Sequence, residues 1–521
     1  MTNFELNGTN LNAEIVHQIA EAWQDPQSFT LSVAPEAAAR VERASQAIAD
    51  FAQRGEIIYG VSTGFGDFKN MIIPPDQVKQ LQRNILISHA TGMGDFLPCH
   101  VVRAMMAVRV QAFLNGHSGI RLQVIDSLLQ MINKGVYPLI PSQGSLGASG
   151  DLAPLAHMAL LLIGEGSAWY RGQVLPGEQA MQEAGIPLID PEAKEGLALT
   201  NGTSLITALG ALTVHKARGL ADLADAAAAL SIEALRGTPL AFDERIHLAR
   251  PHAGQIHSAA NLRKLLAGSE LVRGFDPLDV QDPYSLRCSP QVHGAARDVI
   301  EFAGRAVEVE LNSTTDNPLI FFEDDGKAVC ISGGNFHGEA VAIPLDNIKV
   351  GLAELASISE RRIARLVDQK ENKNLLPAFL IREGGVNSGF MLVQYTAAAL
   401  VSENKVLAHP ASVDSIPSSA NTEDHVSMGT IASRQAAEIA RNTENVLALE
   451  LFSAAQAVDF RLEDGGKGKK LGDGTSAVYE LIRSKVPHIS KDVVMQPHIE
   501  AVRQLVACDA LLDAIRPVLH A

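Results

Sequence analysis

One stretch limits the fold of this chain more than any other: SMGTIASRQAAEIARNTENVLALELFSAAQAVDF, residues 427–460. It predicts a helix far beyond the average of about 10–14 residues in globular proteins. LADLADAAAALSIEALRG (220–237) and MLVQYTAAALVSENKVLAHP (391–410) have the same character. Ala and Leu favour helix because they lose little side-chain entropy in it. Long helices rich in small residues pack closely side by side, and alanine faces also suit helix contacts between subunits. The chain is therefore expected to be mainly α and oligomeric: a large bundle of long antiparallel helices over residues 201–521, after a smaller mixed region over 1–200. In that first region VVRAMMAVRVQAFLNG (101–116) carries apolar residues at three-to-four spacing and a stop at Asn115-Gly116. Strand signals are confined to PLIFFE (318–323) and AVCIS (328–332), and EDGGKGKKLGDGT (463–475) reads as an exposed loop.

Composition excludes several functions. Lys+Arg total 43 and Asp+Glu 59, a formal net charge of -16. Such a chain repels phosphate backbones, so nucleic-acid binding is not expected. No run approaches the ~20 apolar residues that span a bilayer, and MTNFELNGTNLNAEIV lacks the pattern of a signal peptide. The four cysteines, Cys99, Cys288, Cys330 and Cys508, form no C-x-x-C pair and are too sparse for a disulfide framework. A cytoplasmic, membrane-free chain with free thiols is expected. Walker loops, H-E-x-x-H and clustered Cys/His ligands are missing from the sequence, so no metal is expected.

The unusual segment is GSLGASGDLAPLAHMALLLIGEG (144–166), very small residues running straight into a helix start. On its own it reads as a tight glycine-rich turn, with Ser149 or Asp151 as the helix N-cap and Pro154 in the first turn. GASGDLAPLAH also resembles the signature of the aromatic amino acid ammonia-lyases. The resemblance extends in order through YGVSTGFG (59–66), NGTS (201–204), QDPYSLRCSPQVHGA (281–295), NSTTDNPLIF (312–321), GGNFHGE (333–339) and SENKVLAHPASVDSIPSSANTEDHVSMGT (402–430).

Membership of that family implies a fumarase/aspartase-like helical fold, a homotetramer with sites built from several chains, and no external cofactor. It implies that Ala148-Ser149-Gly150 cyclises to a 4-methylidene-imidazol-5-one, an electrophile that no unmodified side chain provides. Small residues suit that reaction, because the Gly150 nitrogen must reach the Ala148 carbonyl carbon.

The resemblance further implies Tyr59 as a base on a mobile loop, Tyr284 and Asn201 lining the electrophile, Arg287 binding the substrate carboxylate and Phe336 packing nearby. Ser88-His89 after LQRN, and Glu423 in E-D-H-V-S-M, are similar to the histidine branch. A His and a Glu can pair both nitrogens of an imidazole, whereas a phenyl ring would leave the carboxylate buried and unpaired. Met391, where related thiol-imidazole lyases carry lysine, agrees with plain histidine, although helix packing explains a methionine equally well. Thr422 departs from the branch, which carries glutamine there. The expected substrate is the small amino acid L-histidine and the product urocanate. The alternatives are a tyrosine or phenylalanine lyase or aminomutase of the same family, or a non-catalytic helical assembly protein.

Overall fold

The computed structural model describes residues 2–520. It is mostly helical, and its strands pair only in small two- or three-stranded sheets. The long helix expected over 427–460 runs Gly429–Glu463, and the other two alanine-rich runs fall in Ser204–Ala234 and Met391–Leu407. Ser289–Leu311 and Glu339–Val367 add two further long helices. The strand signals form one antiparallel hairpin, Leu319–Phe322 with Ala328–Ile331. The glycine- and lysine-rich loop separates Glu463 from the helix Asp473–Lys485. No helix among the described residues is long and apolar enough to cross a membrane.

The chain forms two compact units. The first comprises the chain up to His215 with Ala303–Asp346 and Pro410–Arg434; the second comprises Lys216–Phe302, Asn347–His409 and the chain from Gln435 onward. The division expected at residue 200 marks where the helices lengthen; the units themselves are assembled from non-adjacent stretches.

In the first unit the helix Cys99–Phe113 is buried on every side from Val101 to Phe113, including Arg103 and Arg109. Carbonyls accept from both guanidinium groups, although Arg109 Nε has no hydrogen-bond partner. Arg103 donates to Ile19 O at 2.7 Å, and Arg109 donates to Asn201 O at 2.7 Å while lying over the Phe113 ring. A buried cation is tolerable only with such partners, so this helix also fixes the Asn201 turn.

In the second unit, Glu450 receives Arg362 Nε and Nη2 at 2.5 and 2.8 Å, Ser231 Oγ at 2.7 Å and Ser359 Oγ at 2.6 Å. All four side chains are buried. Removing one partner of such a pair costs about 3–5 kcal/mol, because the other charge is left uncompensated. Arg362 Nη1 also reaches Ser285 O at 3.4 Å, which steadies the short helix Tyr284–Arg287.

The turn before Ala153–Leu160 corrects one expectation. Its N-cap position is Leu152, at φ +41° and without a side-chain cap bond, so neither Ser149 nor Asp151 caps this helix; Pro154 does sit in its first turn. Asp151 Oδ2 instead accepts the Leu205 N–H at 2.6 Å, at the start of Ser204–Ala234, and Thr430 Oγ1 donates to its Oδ1 at 3.1 Å. Burial pushes its carboxyl up to about 7, against the pull of those hydrogen bonds.

Candidate active site

Ala148-Ser149-Gly150 is held from two sides. On one, the Gly202 N–H donates to Ser149 O at 3.0 Å and the Asp151 N–H donates to Gly202 O at 2.7 Å. On the other, the Ser427 N–H donates to Gly147 O at 3.3 Å and the Met428 N–H to Leu146 O at 3.0 Å. Gly150 lies at φ +76°, and a Cβ there would collide with the Gly202 carbonyl. Only glycine allows both the left-handed backbone and that approach.

The tripeptide borders a cavity of about 1040 Å³ within the first unit. Tyr59, His89, Ser149, Asn201, Phe336 and Glu423 all line it. Ala148 and Gly150 line a smaller cavity of about 210 Å³ that also touches His89. The fold thus gathers most of the predicted residues around Ser149.

Glu423 is the acceptor at the centre. Ser149 Oγ donates to its Oε1 at 3.3 Å and Ser418 Oγ to its Oε2 at 3.0 Å. Backbone hydrogen bonds in both directions clip Ser418 to Glu423, and the intervening Ser419, Ala420 and Asn421 all have positive φ. Non-glycine residues adopt that conformation at a cost, so this loop is shaped by its surroundings. Thr422, the departure from the histidine-branch pattern, lines the same cavity.

His89 ends the helix Val78–His89, and Ser88 Oγ lies 3.0 Å from its Nδ1. Burial lowers the His89 imidazole below its ordinary value, opposed by the Glu423 charge and the Ile85 carbonyl. The Tyr59 hydroxyl accepts the Gly66 N–H at 3.2 Å. Burial raises the Tyr59 phenol; the Gly66 contact opposes this and the Glu423 charge adds to it. Asn201 Nδ2 donates to Asp316 Oδ1 and Asn317 O, each at 3.2 Å, and Lys194 Nζ pairs with Asp316 Oδ2 at 2.8 Å.

Tyr284, Arg287 and Met391 belong to the second unit and line neither cavity. Tyr284 is 70% exposed, with the Arg287 guanidinium 4.6 Å from its ring centroid. Sequence reasoning also missed several supporting residues. Fully buried Gln82 donates to Gly60 O at 3.0 Å and accepts the Leu197 N–H at 3.2 Å, tying the Tyr59 loop to the cavity floor. Asp316 and Arg109 hold the Asn201 turn. Only Gln82 carried a local signal, as the polar residue on the apolar face of its helix.

Comparison with known proteins places this arrangement. The model of the family described as aromatic amino acid lyase matches residues 11–484. The chain is 54% identical over 502 residues to a histidine ammonia-lyase of Chloroflexus aurantiacus, covering 96% of each chain. It is 50% identical over 517 residues to a histidine ammonia-lyase of Caldanaerobacter subterraneus, covering 99% of each. The histidine ammonia-lyase structure from Trypanosoma cruzi superposes with a TM-score of 0.90 at 41% identity, covering 99% of this chain and 96% of that one. A tyrosine aminomutase from Streptomyces globisporus superposes with a TM-score of 0.92 at 37% identity, covering 99% of each. With most of its ordered motifs gathered around Ser149 and its length matched almost throughout, the chain belongs to the aromatic amino acid lyase family.

Proposed function

We propose that this chain eliminates ammonia from L-histidine to give urocanate. The observation that carries the reading is that His89 and Glu423 line the same cavity as Ser149. An imidazole between them finds a ring nitrogen on one side and a carboxylate on the other. A phenyl ring in that place offers the Glu423 carboxylate no donor. The many relatives named histidine ammonia-lyase support the same substrate.

The residues fit a self-formed methylidene-imidazolone. Ring closure joins the Gly150 nitrogen to the Ala148 carbonyl carbon and releases one water; loss of the Ser149 hydroxyl with its α-proton releases a second. The positive φ at Gly150 and the hydrogen bonds of Gly202 either side of it suit so compressed a turn. Once formed, the ring supplies an electrophilic carbon that converts the substrate amine into a better leaving group.

The other roles belong to ordinary side chains. Tyr59 takes the β-proton, with Gly66 and Gln82 holding its loop. Asn201 faces the electrophile, and Phe336 packs on the substrate. Tyr284, Arg287 and Met391 reach a neighbouring copy's cavity in a homotetramer, where Arg287 grips the substrate carboxylate as a fork. The exposure of Tyr284, with Arg287 against its ring, supports that assignment. Four unpaired cysteines support a cytoplasmic setting.

Two measurements test the reading. The intact mass of the chain should be two waters below the encoded value. Histidine should generate the absorbance of urocanate; turnover of tyrosine or phenylalanine without histidine would overturn the choice of substrate.

A further inference from the structure

Three side chains that line neither cavity converge nearby: His337, Glu339 and His425. One potential ligand atom from each lies within 4.8 Å of the other two. His337 and Glu339 come from GGNFHGE and His425 from EDHVSM, so no spacing rule in the sequence reveals the set. The two imidazole rings stack with centroids 5.7 Å apart.

The carboxylate is the anomaly. Glu339 opens the helix Glu339–Val367, and its Oε2 is closed off from solvent without a hydrogen-bond partner. Leaving a buried acceptor unsatisfied is unfavourable, and more so when it is charged. The His337 ring is loosely held: the Glu339 N–H donates to Nδ1 at 3.4 Å, and Nε2 lies 3.3 Å from the His425 carbonyl. Both contacts are at the long end of the hydrogen-bond range, so either nitrogen is easily released.

We propose that His337, Glu339 and His425 bind a first-row divalent cation of the zinc type. Two imidazoles and one carboxylate suit such an ion, with a fourth position left for water, whereas magnesium and calcium prefer all-oxygen sets. The ion satisfies Glu339 Oε2 and neutralises its charge. It also ties together two walls of the cavity, because Phe336 precedes His337 and Glu423 lies two residues before His425. Its ligands are positioning residues; they hold the Glu423 loop without touching the substrate.

The test is a titration of the purified full chain, first dialysed against a chelator, with cobalt(II) and then zinc(II). About one equivalent of cobalt per chain should bind at micromolar concentration, with visible d–d absorption that zinc abolishes. Glu339→Gln and His425→Ala should each weaken binding at least roughly tenfold, because every ligand contributes to affinity. His425 is exposed, so its alanine variant keeps the test decisive even where Glu339→Gln folds poorly. No saturable binding up to millimolar cobalt, or two folded variants that bind like the parent, would overturn the proposal. Since the readout is binding, it stands or fails separately from lyase activity.

Discussion

Ser149 Oγ donates to Glu423 Oε1 across 3.3 Å, joining residues 274 positions apart. The hydroxyl that the proposed second dehydration removes is thus the one that occupies Glu423 beforehand. Maturation would free this acceptor for a donor on the substrate.

Replacing Ser149 by alanine should therefore block the second dehydration and leave no methylidene carbon. We expect lyase activity to fall by at least ~10³-fold, the scale of losing a reacting group. Intact mass should show no loss of two waters. The circular dichroism spectrum should stay unchanged, because only one long hydrogen bond, worth about 1 kcal/mol, is removed from the fold.

Glu423→Gln keeps the shape of the side chain and removes its charge. For histidine, kcat/KM should drop about 10- to 100-fold, the worth of a hydrogen bond to a charged group. The loss for tyrosine or phenylalanine should be smaller, which steady-state kinetics on all three substrates would reveal. Equal losses for all three would remove Glu423 from substrate selection.

The pH profile should carry two signatures. With its imidazole held below 6.5 by burial, His89 is neutral at pH 7, so the acid limb of kcat/KM should lie below that value. Tyr59 is shifted the other way, above 10.0, so the fraction of phenolate available as a base grows as pH rises. The rate should climb on the alkaline side in the parent chain and lose that climb in Tyr59→Phe.

Gly202 brackets the tripeptide with its N–H and carbonyl while sitting at φ +139° against Thr315. Gly202→Ala must strain this turn or displace its neighbours, at a cost of roughly 1–3 kcal/mol. A lowered Tm and incomplete loss of the two waters should appear together. Full maturation in a destabilised variant would show that the bracket serves stability alone.

Asp151 offers a stability test with a defined sign. Its carboxyl sits at about 7 in the fold against 3.8 ordinarily, so between those values the folded chain holds a proton that the unfolded chain releases. Stability from this group is fully present below about 4 and is lost as pH rises towards about 7. Asp151→Asn retains an acceptor for Leu205 and should remove that part of the pH dependence in thermal unfolding. Asp151→Ala should be less stable at every pH, by about 1 kcal/mol or more for the lost cap.

Much of the site was legible because its chemistry sits in short ordered motifs. Tyr59, His89, Ser149, Asn201, Phe336 and Glu423 were all named from such motifs and meet around one cavity. What escaped was pairing at a distance. Asp151 looked like the cap of the helix beside it and binds the start of another, because a carboxylate joins whichever N–H the packed chain presents. Gln82, Arg109 and Asp316 hold the site from separate segments, and nothing local shows which partners they bind.

The sequence by itself determined the helical character of this protein and supplied the residues proposed to react. Helix propensity is a local property, and the small residues of Ala148-Ser149-Gly150 are a covalent fact of the chain. Only the tertiary structure decided which donors face which acceptors: Ser149 with Glu423, Asp151 with Leu205, and His337 and Glu339 with His425. Those relationships arise when buried polar groups, cut off from water, must find partners within the fold, and that choice depends on packing rather than on neighbours in sequence.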